Sequence, residues 1–257
     1  MDGVKTSRYI KELHNYLIDE LNHIHEMFLK KHLSVDEISI DEKAWERDKK
    51  SFIVFSHAAF ENYIEVLSIA LIDYAQYEFQ FNKKITEILF CFIWMRRNSK
   101  PEFPDDVWSD TNREKLRCEI DELIDSYKNE ITNNNHGIKI KNLNNLLRSV
   151  SLDLPENSEL VNALNTLTNL RGEFAHRFLE KSKQISRITN TEGPEKIEAT
   201  VANSYRLAYR LYLKSLEKIE SEESLIILKN EYIRISRINE YLENTPSTDG
   251  LFSLEAE

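Results

Sequence analysis

The stretch from Phe52 to Tyr74, FIVFSHAAFENYIEVLSIALIDY, limits the fold more than any other part of the chain. It is apolar at almost every helical angle, so a helix built from it belongs at the centre of a bundle. Between Lys50 and Asp73 the only formal charges are Glu61 and Glu65. A carboxylate in such a setting needs a partner or contact with water. Glu61 is therefore expected to pair within the fold, with Glu65 on the same face; a catalytic role is the alternative.

The rest of the chain supports an all-helical reading. Gly and Pro number five each in 257 residues, so turns are few and elements long. That punctuation excludes a β-sandwich or barrel. With 41% hydrophobic residues the chain can fill one core, and we expect a single helical domain over residues 1–245 and a mobile tail over 246–257. The expected architecture is an all-α bundle of six to eight helices. The longest apolar run, Ile85 to Met95, is too short to span a bilayer, so no membrane is expected. The first residues, MDGVKTSRYIKEL, hold no apolar segment of the secretory type. Cys91 and Cys118 form no CxxC pair and read as reduced thiols, which points to a cytoplasmic protein.

Taken in order, residues 6–32 carry Tyr9, Ile10, Leu13, Leu17, Leu21, Ile24 and Phe28 at helical spacing. His14, His25 and His32 share nearly one face of that helix. They lie about 16 and 10 Å apart along it, too far for one ion, so we read them as satisfied packing histidines and expect no metal. Asp41 is expected to cap a long helix ending near Phe81. Residues 83–98 form a third helix, 98–110 a loop, and 111–132 a fourth helix whose Glu119, Asp121, Glu122 and Asp125 make a solvated acidic face. Residues 139–150 form a short helix. Pro155 precedes the next, which runs to about Lys183. Residues 184–194 are polar, with a short hairpin conceivable there, and helix resumes from 195 to about 243, with a break near Ser221. With so few glycines, no phosphate-binding loop or dinucleotide fingerprint can be drawn, and no cofactor is expected.

One segment carries chemistry: Arg171-Gly172-Glu173-Phe174-Ala175-His176-Arg177. On a wheel, Leu160, Leu164, Leu167, Phe174 and Phe178 define an apolar stripe, and Arg171 falls within it. A permanently charged guanidinium there is expected to meet a carboxylate, a phosphate or another subunit. His176, five residues on, lies about 140° away. A bend at Gly172 could close that gap, or a two-fold axis could bring two copies of the segment into one cleft, which we favour. Arginine and histidine suit phosphodiester cleavage without metal. The imidazole moves the 2′-OH or leaving-group proton, and the guanidinium steadies charge on the phosphorus oxygens. Glu173 can orient His176, and Arg177, Lys181, Lys183 and Arg187 add a basic run suited to an RNA backbone within a chain of net charge -10. The contrary reading pairs Arg171 with Glu61 in a core salt bridge.

RGEFAHR resembles the R-x4-H motif of the HEPN superfamily of all-helical domains, and FSHAAFENYIEVL, residues 55–67, is similar to that superfamily's early core helix. The resemblance extends over residues 45–220. It implies a metal-independent endoribonuclease of phage defence or toxin systems, acting as a homodimer. Arg171 and His176 would be the catalytic pair, Glu173 a support, and Arg177 and Lys181 substrate contacts. The residue after the arginine, commonly Asn or Asp in that superfamily, is Gly172 here. Phe178 stands where some toxins carry a modified tyrosine, so that form of control is not implied. RNA, such as tRNA or another structured RNA, would be the substrate, and an antitoxin or sensor protein would be a partner. The alternative is a non-catalytic HEPN-like module serving dimerisation or partner binding.

Overall fold

A computed structural model describes residues 1–33, 41–96, 109–134, 138–177 and 193–220. Among them are eight helices and no strand: α1 (Gly3–Phe28), α2 (Lys30–Leu33), α3 (Glu42–Asn82), α4 (Glu87–Arg96), α5 (Asp110–Asn134), α6 (Ile140–Ser149), α7 (Ser158–Arg177) and α8 (Pro194–Ile219). The all-α bundle read from the sequence is thus the observed architecture.

Helix ends follow local chemistry. Asp41 Oδ1 accepts the amides of Lys43 and Ala44 at 3.0 and 3.3 Å, capping α3 as expected. Asn157 Oδ1 caps α7 through Glu159 and Leu160, at 2.9 and 3.3 Å. α4 starts later than its apolar pattern suggested. Lys83 adopts φ 55, ending α3, while the Lys84 amide reaches back to the Glu78 carbonyl at 3.0 Å. Thr86 Oγ1 then accepts the Leu89 amide at 3.2 Å and opens α4. Similarly, α1 closes at Phe28, and the chain turns at Leu29 into the single turn of α2. Expected elements over 97–108, 178–192 and 221–257 lie outside the described residues. They include most of the proline loop, the end of the α7 pattern, the hairpin, the helix past Ser221 and the tail.

Two compact units are distinguishable by contact density. The first takes Met1–Leu13, Ile64–Leu154 and, among the described residues, 211–220. Leu67, Leu71, Ile72, Phe79, Phe92, Ile124 and Leu147 are fully or almost fully buried in it. Tyr127 stands edge-on to Phe92, with ring centroids 5.3 Å apart, and its hydroxyl donates to the Leu146 carbonyl at 3.1 Å. Burial pushes that hydroxyl's pKa up. Arg96 lies 4.6 Å over the same ring, pairs with Glu130 and donates to Ser149 Oγ. Asp121 accepts from both Gln76 and Gln80, while Glu119, Glu122 and Asp125 are exposed, so the acidic face of α5 is solvated. Gly3 allows the start of α1 to approach closely. A Cβ there would touch Tyr74 at 3.4 Å and Ile219 at 3.5 Å. Cys91 and Cys118 are both free thiols.

The second unit includes His14–Tyr63 and Pro155–Arg210. Leu17, Leu21, Phe52, Ile53, Phe60, Leu164, Leu167 and Val201 form its core. Each fully buried side chain of this size contributes about 1.5–3 kcal/mol by leaving water. The three histidines of the first helical pattern are buried, each among different neighbours. His14 packs among Tyr63, Tyr205 and Tyr209, its Nε2 3.3 Å from the Tyr205 hydroxyl. His25 Nε2 is 2.8 Å from Glu198. His32 Nε2 is 3.0 Å from Asp48. Burial acts to raise the Asp48 pKa, but hydrogen bonds from Lys31, His32 and Arg47 outweigh it and hold the carboxyl at about 2.

α3 departs from the expectation of burial all round. Within the second unit, Val54 and Phe55 are 39% and 49% exposed, and Ala58 and Asn62 are exposed beside them. Phe28 stacks on Phe55 with ring centroids 5.6 Å apart, and Met27 next to it is also exposed. One side of the helix packs on its own unit; the other is apolar and open to solvent.

Candidate functional site

The segment singled out in the sequence occupies the last turns of α7. Leu160, Leu164, Leu167, Leu170 and Phe174 turn inward, and Thr168 is buried with them. α7 runs without interruption through Gly172 to Arg177. A Cβ at Gly172 would meet nothing within 4 Å, so packing does not demand glycine there. With regular helix on both sides of Gly172, Arg171 and His176 leave the axis about 140° apart.

For Arg171 the sequence left a carboxylate, a phosphate or another subunit as partner. Its angle lies inside the buried arc, yet the residue is exposed. The long, flexible stem lets the guanidinium reach water from an inward position near the helix end. Among the described residues it forms no ion pair, so the core salt bridge to Glu61 is not present. Glu173 is exposed one turn before the end of α7. His176 and Arg177 are placed as the closing helical residues. Lys181, Lys183, Arg187 and Phe178 lie outside the described residues.

The charge of Arg171 reaches α3. Lys50 Nζ lies 5.8 Å over the Phe174 ring, and the charge of Arg171 acts on His57. His57 is only 2% exposed, and its Nε2 is buried without a hydrogen-bond partner. Its Nδ1 stands 3.7 Å from Glu61 Oε2, one turn on. Burial, and then the nearby Arg171 charge, lower the His57 pKa to about 4. Its imidazole is therefore neutral at pH 7. Glu61 is about a quarter exposed at this edge, which meets its need for water.

His57 was not among the candidate residues read from the sequence. In a helix apolar at every angle, one imidazole looks like core filling. The available signal was its spacing of four from Glu61, which puts both on one face.

At about 100° per residue, Lys50, His57, Glu61 and Val54 fall side by side on the wheel of α3, and the open apolar side with Ala58 and Phe55 begins there. The charge of Arg171 consequently acts near the border between the packed and the unpartnered sides of α3. A guanidinium with no ion pair among the described residues can bind and polarise a phosphate group.

The helical bundle, with R-x4-H late in it and the apolar early helix against it, defines a protein of the HEPN superfamily. The chain belongs to the RiboL-PSP-HEPN family, whose family model matches residues 12–199. HEPN domains often act as ribonucleases, bind RNA and dimerise. Neither a curated protein nor a solved structure matches the chain. Among the described residues, no helix is long and apolar enough to cross a membrane.

Proposed function

We propose that this protein is a metal-independent endoribonuclease of a phage-defence or toxin system, active as a homodimer in the cytoplasm. Arg171 carries the reading: it is an exposed guanidinium, without an ion pair among the described residues, late in an R-x4-H helix of a HEPN-family bundle. In this role Arg171 binds the scissile phosphate and steadies the charge that builds on its oxygens. His176 takes the 2′-OH proton as the oxygen attacks phosphorus, closing a 2′,3′-cyclic phosphate while the P–O5′ bond breaks and the 5′-oxygen takes a proton from water. Glu173, three residues earlier, orients or polarises the imidazole. Arg177 and Lys181 contact the RNA backbone.

The open apolar side of α3 supports a dimer. Val54 and Phe55 on α3, with Met27 on α1, make exposed apolar surface of the kind that subunit contacts cover. It begins at the edge near which the charge of Arg171 acts, so a second copy seated there would bring its own α7 nearby. Two diverging Arg/His pairs could then line one cleft. The substrate is tRNA or another structured RNA, and an antitoxin or sensor protein restrains or triggers cutting.

The test is incubation of purified protein with total RNA in EDTA. Cleavage that survives EDTA and disappears in His176→Ala supports the assignment. Intact RNA under all conditions would leave the alternative, a non-catalytic dimerisation or partner-binding module.

A further inference from the structure

A buried polar atom without a partner is costly, and proteins that keep one usually use it. His57 Nε2 is such an atom. It belongs to a ring that is 2% exposed and that feels the charge of Arg171, while Lys50 of the same helix lies over the Phe174 ring, one turn beyond Arg171. The other ring nitrogen, Nδ1, has the Glu61 carboxylate 3.7 Å away. A carboxylate at that side favours the tautomer with the proton on Nδ1. Nε2 then holds a lone pair and can only accept. Arg171 supplies five N–H donors and no acceptor, and among the described residues no ion pair fixes them.

We propose that His57 is a positioning residue for Arg171: its Nε2 accepts one guanidinium N–H when a phosphate is bound, leaving the other N–H groups to grip the phosphate oxygens. The inference rests on the ribonuclease reading of the same site and adds a residue to it. Glu61 acts one step further back, holding the ring in the accepting tautomer. The advantage is pre-organisation. An exposed arginine must give up its rotamer freedom to hold a ligand, and an acceptor waiting beneath it lowers that cost. A neutral ring suits the task, since a protonated one would lose its lone pair and repel the guanidinium. The low pKa of His57 agrees with that requirement.

His57→Leu removes the acceptor at similar volume, and His57→Gln restores an acceptor oxygen at similar reach. The probes are an uncleavable RNA oligonucleotide carrying 2′-deoxy substitutions, followed by fluorescence anisotropy, and the cleavable oligonucleotide, followed for kcat and KM. His57→Leu should melt no lower than the native protein, because an unpartnered polar atom is gone, yet bind and cleave about tenfold worse. His57→Gln should stay within about twofold of the native protein. In an Arg171→Ala background, His57→Leu should cost nothing more. An undiminished His57→Leu, or an equal loss in the Arg171→Ala background, overturns the proposal. Should His57→Leu not fold, His57→Gln and the spectrum below decide.

If the native protein neither binds nor cuts RNA, the ribonuclease reading fails, and His57 is judged by long-range 1H–15N correlation spectra. The expected result is the Nδ1–H tautomer, with an Nε2 resonance that moves when inorganic phosphate is added to the native protein but not to Arg171→Ala. An Nε2–H tautomer, or an Nε2 resonance indifferent to phosphate in both, rejects the positioning role.

Discussion

His25 Nε2 lies 2.8 Å from Oε1 of Glu198, tying the later half of α1 to the first turns of α8. His25 is buried, so Glu198→Ala would leave a sequestered ring nitrogen without its acceptor. The expected loss is about 1–3 kcal/mol of unfolding free energy, read by urea titration. Replacing both residues with apolar ones should recover most of it. A Glu198→Ala protein as stable as the native one would mean that the contact contributes nothing net.

Gly172→Ala should stabilise the protein. Glycine in a helix interior costs about 1 kcal/mol relative to alanine, and nothing occupies the space a Cβ would take. The midpoint of denaturation should rise with an unchanged slope. A fall would mean that residue 172 departs from helical geometry in solution.

Acid should weaken the fold through two histidines. Burial lowers the His14 pKa to about 4, and burial together with the Arg171 charge does the same for His57. Both therefore bind a proton more readily unfolded, near pH 6.5, than folded. Their neutral forms favour the fold above pH 6.5. That contribution is lost as the pH falls from there towards 4, on the order of 3 kcal/mol for each group. Urea midpoints measured from pH 7 to pH 4.5 should decline over this range. His14→Phe should flatten the decline, and an equally steep decline in that variant would remove His14 as a cause.

Arg171→Ala should cost about 100- to 1000-fold in RNA cleavage with little change in melting temperature. The guanidinium is exposed and forms no ion pair among the described residues, so the fold does not depend on it. A large drop in melting temperature would assign it a structural role instead.

Phe55→Glu should loosen self-association. It puts a charge on the open side of α3, where Phe55 is 49% exposed, so the single chain tolerates it. Sedimentation velocity should show a shift from dimer to monomer, with a parallel loss of cleavage at the same protein concentration. A dimer that persists would place the subunit contact elsewhere.

Much of this was legible in the sequence because it follows from local patterns. The apolar sweep of Phe52 to Tyr74 announced a long helix, and Asp41 announced where it starts. The R-x4-H segment and its place late in the chain were equally plain. The less legible features depend on what packs against what. Nothing in the residue types near Lys83 signals a left-handed turn, so the start of α4 was read too early. Arg171 fell within the apolar stripe because a wheel locates a Cα, whereas a long flexible stem decides where the charge resides. His57 was overlooked because its meaning comes from a neighbour more than a hundred positions away.

In the homodimeric ribonuclease proposed above, the unbroken course of α7 through Gly172 would have a consequence for control. A cutting centre shared between two chains responds to the abundance of its own gene product. When most molecules are single, halving their number lowers output about fourfold, because pairs scale with the square of concentration. Scarcity alone would then keep such an enzyme quiet, and any event that crowds the copies together would release it.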